Sequence, residues 1–174
     1  MCAFAQKVSI NGKEGYRQLS WEDFKGKVDK ASPFTAVTHW FLSWNEGKPA
    51  KDAHGKPVLQ PEVEVSFMGD SWVNKKRDLS PELLRHEQGH FDIALVCAAE
   101  LAKQVKAASF TAKNFEPLMN KLFDAAYDKC ARLQEQYDAE TGHGCEEHDA
   151  DQQRWNSFLA QQLSNSPAVA LNTL

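Results

Sequence analysis

The chain has 174 residues, enough for one domain with a real core and too few for two ordinary ones. With 42% hydrophobic and 25% charged residues it is neither disordered nor fibrous in composition. Lys+Arg 20 against Asp+Glu 24 gives a net charge of −4, which argues against a broad electrostatic grip on nucleic acid or an anionic membrane. No apolar stretch approaches the ~20 residues that span a bilayer.

At the start, Ala3-Phe4-Ala5 before Gln6 has the small-x-small pattern of a signal-peptidase cut, so residues 1–5 read either as the stub of a leader or as an ordinary start. From Val8 to about Asp78 the chain is aromatic, broken by Gly and Pro, and without sustained helical period. Residues 34–44 are rich in β-branched and aromatic side chains and predict a strand. Residues 46–61 read as a loop, and 62–67 alternate polar and apolar as a half-buried strand pairing antiparallel with the first. Val63–Phe67 suits either a core strand or a sheet edge open to an extended peptide.

From Ser80 the period changes. A serine cap, Pro81 and Glu82 start a helix that runs to about Lys106. A second helix is predicted over about 114–137, with Pro117 tolerated in its first turn, and Thr141-Gly142-His143-Gly144 breaks it. A third helix over about 146–163 carries the apolar stripe Trp155, Phe158, Leu159 and Leu163, and 164–174 reads as a loose tail. The expected fold class is α+β: a small N-terminal antiparallel sheet packed on a long helix, with one or two further helices, in a single domain over 6–163.

The first helix contains His86-Glu87-Gln88-Gly89-His90, an H-E-x-x-H motif. Two histidines four apart lie one turn above each other, about 6 Å along the axis, and can grip one metal ion. The glutamate after the first histidine then lies where it can take a proton from water. At 100° per residue, Leu84, Phe91, Ala94, Leu95, Ala98 and Leu101 share one half of the helix with His86, Glu87 and His90. Arg85, Gln88, Asp92, Lys103 and Lys106 fall on the opposite arc, and Asp92 reads as solvated or structural. Turning two imidazoles and a carboxylate inward costs several kcal/mol, roughly, unless a partner such as a cation satisfies them.

Two histidines leave tetrahedral zinc short of a third protein ligand. No glycine follows His90 closely enough to turn the chain back for a compact third histidine, so the ligand must come from elsewhere. If the first two helices are antiparallel about a turn near residue 110, positions 131–140 return beside His86 and His90. That region and the loop beyond offer Glu135, Asp138, Glu140, His143 and His148. His143, flanked by Gly142 and Gly144, is the first candidate; Asp138 is the second, as ligand or as the acceptor that orients a histidine. His39, His54 and His148 read as ordinary polar residues.

Cys2, Cys97, Cys130 and Cys145 form no C-x-x-C pair. Cys97 is expected as a small buried hydrophobe, and the hairpin register sets it poorly opposite Cys130, so a bridge between them is only conceivable. Cys145 could reach the metal but reads better as a disulfide partner or free thiol. Trp21, Trp40, Trp44, Trp72 and Trp155 suit core packing or a binding groove.

Residues 83–94, Leu-Leu-Arg-His-Glu-Gln-Gly-His-Phe-Asp-Ile-Ala, resemble the core motif of a bacterial family of unknown function described as predicted secreted zinc-dependent proteases, grouped with the zincin-type metallopeptidases. Leu19–Lys27 resembles that family's W-x-D-F-x-G signature, with Ser32–Ala36 following, and Tyr137–Gly144 resembles its Y-D-x-x-T-x-H-G motif. Leu95 departs from the family, whose members usually carry an acid just after H-F-D-I-A. The resemblance implies a zincin-like fold, export to the periplasm or beyond, and metal-dependent peptidase chemistry. It makes His86 and His90 zinc ligands, Glu87 the catalyst, and His143 or Asp138 the third ligand. The expected activity is therefore hydrolysis of a peptide or protein substrate, with Tyr137 either donating to the developing oxyanion or packing at the helix end. The other reading is an exported binding module whose metal site is structural or vestigial.

Overall fold

The computed structural model describes residues 6–47, 50–51, 55, 57–144 and 146–164. The expected leader stub at 1–5, the tail beyond Ser164, and Cys2, His54 and Cys145 lie outside the described residues. Among the described residues the strands are β1 (Gln6–Ile10), β2 (Lys13–Glu14), β3 (Ala36–Val37), β4 (Trp40–Asn45), β5 (Ala50–Lys51), β6 (Pro57–Val58), β7 (Glu62–Phe67) and β8 (Trp72–Val73). Three α-helices follow: α1 (Pro81–Ala107), α2 (Phe115–Thr141) and α3 (Asp149–Ser164). None of them is long and apolar enough to cross a membrane.

The α+β class is as expected, but the sheet is mixed rather than antiparallel. Its order is β2-β1-β7-β4, with β4 antiparallel to β7 and β1 parallel to it. Expected alternation in β7 is present: Val63, Val65 and Phe67 are buried against α1, while Glu62, Glu64 and Ser66 are only half-buried. Lys7 on β1 pairs with Glu62 at 2.6 Å, which ties the parallel neighbour in register. β1 passed unnoticed in the sequence because five residues without a hydrophobic run carry little strand signal. With β1 on one side and β4 on the other, β7 is a central strand, so of the two readings for Val63–Phe67 the core strand holds and the sheet edge does not. Among the described residues the edge strands of this sheet are β2 and β4. The predicted 34–44 strand is two strands, β3 pairing β8 and β4 pairing β7, separated at Thr38–His39.

α1 begins as predicted, with the Ser80 hydroxyl accepting from the Leu83 N–H (3.0 Å) and Pro81 at the first helical position. Its apolar stripe packs on the sheet, where Phe91 meets Phe67 edge-on at 5.7 Å. Gln88, placed on the polar arc, is buried, and of the two readings for Asp92 the structural one holds. The Tyr16–Leu19 segment crosses that side of α1: the Leu19 N–H donates to Gln88 Oε1 (2.7 Å), Gln88 Nε2 to Asp92 Oδ1 (2.7 Å), and the Tyr16 hydroxyl to the same oxygen (3.1 Å). Burial pushes the Asp92 carboxyl up to about 6, against the two hydrogen bonds.

α2 runs antiparallel to α1, since His90 meets Gln134, His86 meets Asp138, and Cys97 meets Cys130. The hairpin is as expected but its centre lies beyond residue 110, because Ala108–Asn114 forms a longer link and α2 starts only at Phe115. That shift is doubled in the register and brings Cys97 and Cys130 together, contrary to the sequence expectation. α3 buries Trp155, Leu159 and Leu163, whereas Phe158, expected in the same stripe, is exposed and rests edge-on against Trp155.

The W-x-D-F segment is pinned by buried Asp23, which accepts from the Ser20 N–H (2.9 Å) and from Arg17 Nη1 (2.7 Å). The Arg17 guanidinium, ahead of an opposing effect of burial, lowers the Asp23 carboxyl from 3.8 to about 2. A depressed folded-state pKa adds stability above the ordinary value and loses it as pH falls through the folded one. With Arg17 half-exposed the pair contributes about 1 kcal/mol after solvent screening. Arg17→Met is expected to lower the melting temperature by roughly 2–4 °C at pH 7. Thermal denaturation across pH should show the difference closing between about pH 4 and pH 2.

Candidate metal centre

His86 and His90 stand one turn apart on α1, with ring planes nearly perpendicular and Nε2 atoms 3.1 Å from each other. Asp138 reaches them from α2, its Oδ1 3.2 Å from His86 Nε2 and 3.0 Å from His90 Nε2. His86, His90 and Asp138 form a group of three ligand atoms all within 4.8 Å of one another. His143 is not in that group; its Nδ1 lies 3.2 Å from Asp138 Oδ1, and its half-exposed ring packs on Phe34 at 4.9 Å. Glu135, Glu140 and His148 stand apart, Glu140 bonded to Arg154 and Trp155, and His148 near Asp151. His39 pairs with Asp70.

The surrounding hydrogen bonds assign the imidazole protons. Gln134 Nε2 donates to the His90 carbonyl (2.9 Å), so its Oε1 faces His90 Nδ1 (2.6 Å) and accepts from it. Gln152 Nε2 donates to the Tyr137 hydroxyl (2.7 Å) and to Asn156 Oδ1 (2.9 Å), so its Oε1 accepts from His86 Nδ1 (3.2 Å). When neutral, each ring thereby turns an Nε2 lone pair inward, and both Nε2 atoms point at a carboxylate oxygen. Three acceptors converging on one place repel unless positive charge sits between them. Protonation shifts agree: burial opposes charge on His90, yet Asp138 and Glu87 raise its pKa. Burial likewise opposes charge on Asp138, yet the His86 and His90 hydrogen bonds hold it well below the ordinary carboxylate range. Tetrahedral zinc at bonds of about 2.0–2.1 Å sets its ligand atoms roughly 3.3 Å apart, close to the spacings found here. The donor set fits a divalent cation.

This cluster lies at one wall of a cleft of about 410 Å³ whose lining includes Phe34, Val37, Trp40, Leu83 and Glu87. Glu87 is buried and accepts from the Thr38 hydroxyl at 2.6 Å. Thr38 belongs to the break between β3 and β4, so the sheet itself aims the carboxylate. Gln134, Gln152 and Thr38 escaped the sequence reading, whereas Thr141, whose hydroxyl lies 3.2 Å from His86 Nδ1, is the threonine of the Y-D-x-x-T-x-H-G segment. Only Gln134 carries a local signal, one helical turn before Asp138 on the same face.

Two glycines permit close packing here. A Cβ at Gly89 would lie 2.1 Å from the Tyr137 hydroxyl, and one at Gly144 would lie 3.0 Å from His86 Cβ. Gly142 and His143 both take left-handed backbone, φ 56° and 55°, which turns the chain out of α2 beside the cluster. For the non-glycine residue this conformation costs roughly 1–2 kcal/mol.

Tyr137 is fully buried. Its ring stacks on His86 at 4.7 Å with 9° between planes, and its hydroxyl donates to the His86 carbonyl (3.1 Å) while accepting from Gln152. The tyrosine is therefore a support beneath the first histidine, and the oxyanion role considered for it is corrected: its hydroxyl is committed inside the fold and does not line the cleft.

The molecule is thus an α+β protein built around an H-E-x-x-H helix whose imidazoles converge with a carboxylate from a second helix. It belongs to a family of bacterial proteins of unknown function, DUF922, whose model matches residues 7–144 and so takes in every residue of the cluster. No curated protein and no solved structure matches the chain.

Tyr137→Phe is expected to cost about 1–2 kcal/mol of stability through the lost hydrogen bonds. If hydrolytic turnover is measurable, it should fall less than about tenfold, whereas loss of an oxyanion donor costs about 10²–10³. Denaturant titration and steady-state kinetics on the same preparation check both.

Proposed function

We propose that this protein is a zincin-like, zinc-dependent hydrolase of peptide bonds, acting outside the cytoplasm as the family resemblance implies. The observation that carries the reading is the convergence of two imidazole nitrogens and a carboxylate oxygen at a cleft wall, with Glu87 beside them. His86, His90 and Asp138 would hold the ion. This reverses the order expected from sequence, in which His143 came before Asp138, because Asp138 Oδ1 faces both rings while His143 is paired with Asp138. A bound zinc ion supplies Lewis-acid polarisation and makes water a nucleophile at neutral pH.

The chain's own residues do the rest. Glu87 takes a proton onto its carboxylate from the attacking water and returns it to the leaving amine nitrogen, so no net proton is consumed. Thr38 holds that carboxylate by its Oε2. Gln134 and Gln152 fix the imidazole tautomers, and His143 holds Asp138 by the oxygen that faces the two rings. Among the described residues β4 is an edge strand, it starts at Trp40, which lines the cleft, and an unpaired edge can hydrogen-bond an extended peptide backbone. Phe34, Val37, Trp40 and Leu83 give the cleft apolar walls, and its lining includes no Lys or Arg, so it suits a peptide with an apolar side chain at the cut.

Chelator-treated protein titrated with Zn²⁺ is expected to gain about 2.7 kcal/mol of stability at a hundredfold excess over Kd, read as a rise in melting temperature. His86→Ala, His90→Ala and Asp138→Ala should abolish that gain, while His143→Ala weakens binding by about 10–100-fold. Glu87→Gln should keep the gain and lose cleavage of unstructured peptide pools, followed by mass spectrometry. No stabilisation by zinc in the unaltered protein would overturn the reading. Binding without any cleavage that depends on Glu87 would leave a structural metal site.

A further inference from the structure

Away from the cleft, α1 and α2 meet at Cys97 and Cys130. Both side chains are buried, at 4% and 0% exposure, on the facing sides of the antiparallel helices, and Cys97 is the neighbour that acts most strongly on the Cys130 thiol. They project from two different helices that run antiparallel, so the contact is a consequence of tertiary packing and not of local sequence. Their core neighbours are apolar, and Gln134 is the polar side chain that reaches Cys130. Contact with Cys97, and then burial, raises the Cys130 thiol far above its ordinary value, with Gln134 opposing. A thiol in that state is a poor nucleophile, so any chemistry between the pair belongs to the folding chain, before α1 and α2 close.

We propose that Cys97 and Cys130 form a disulfide that staples α1 to α2 behind the candidate metal centre when the chain folds under oxidising conditions. The bond forms by thiol–disulfide exchange with a low-molecular-weight disulfide such as oxidised glutathione. One cysteine thiolate attacks a sulfur of the donor, breaking the donor's S–S bond and releasing one glutathione thiolate. The second cysteine thiolate then attacks the protein sulfur of the mixed disulfide and releases the other glutathione thiolate. Two electrons pass to the donor, and the two protons lost by the protein thiols end on the two glutathione thiols.

The staple has a structural target. Gln134 lies one turn beyond Cys130 and holds His90 by both its ring nitrogen and its carbonyl, and Asp138 lies one turn further. Locking the Cys97–Cys130 register therefore locks the register that aims Gln134 and Asp138 at α1. This proposal does not rest on the hydrolase reading, since it concerns the helix interface alone.

The full chain, refolded from reduced denatured protein in excess oxidised glutathione, is quenched in denaturant with an alkylating agent and digested with trypsin. Peptide 86–103 is expected joined to peptide 130–132, separating on reduction. The oxidised protein should melt roughly 5–10 °C above the reduced protein. The C97S/C130S double variant should lose that redox-dependent difference. Recovery of both peptides alkylated after oxidising refolding overturns the proposal, and so does finding either cysteine joined instead to Cys2 or Cys145. The mapping needs only the unaltered chain, so failure of the double variant to fold would not remove the test.

Discussion

Two imidazole Nε2 atoms and a carboxylate oxygen stand within 3.2 Å of one another, and with both rings neutral their electron pairs repel unless positive charge sits between them. Much of the molecule is arranged to maintain that gathering. Gln134 and Gln152 hold the outer nitrogens of the rings, so neither ring can relieve the repulsion by moving its proton inward. Tyr137 lies flat under His86, and only a glycine at position 89 allows its hydroxyl so close to α1. A gathering of donor atoms held by so many independent contacts is what preorganised binding of a cation would require.

The sheet contributes orientation more than chemistry. β7 and β1 bury their apolar faces under α1, and that packing fixes the rotation of the helix about its axis. Once the rotation is set, His86, Glu87 and His90 turn toward the gap between α1 and the β3–β4 break, where Thr38 meets Glu87. The same break ends the pairing with β8 and starts the pairing with β7, so the sheet changes partner at the site that faces the cluster. On the far side of α1, the Tyr16–Leu19 segment closes over Gln88 and Asp92, which shields the helix there and leaves the cleft side as its open face.

Much of the helical half was legible in the residues. The serine cap, Pro81 and the 3.6-residue period located α1, and the absence of a nearby turn after His90 sent the expected third ligand to the returning helix or the loop beyond it, with His143 ahead of Asp138. Antiparallel geometry then pointed to positions 131–140, where Asp138 stands. The sheet was less legible: β1 is short, and its parallel pairing with β7 depends on Lys7–Glu62 and on contacts more than fifty residues apart. The burial of Gln88 on the polar arc escaped for a related reason, since a helical wheel knows nothing of a loop that packs on its polar side. Phe158 failed too, because three apolar residues of α3 were enough to reach the core and the fourth was left outside.

By itself the sequence determined which side chains could share a metal. Spacing of four in a helix is a local property, set by backbone geometry and independent of the rest of the chain. It also determined the class, because capping residues and hydrophobic periods are likewise local. Tertiary structure alone decided that Asp138 meets both imidazoles while His143 meets Asp138, that Tyr137 is buried, and that Cys97 faces Cys130. Those outcomes depend on the length of the link between α1 and α2, and a change of one residue in the centre of a hairpin moves facing positions by two.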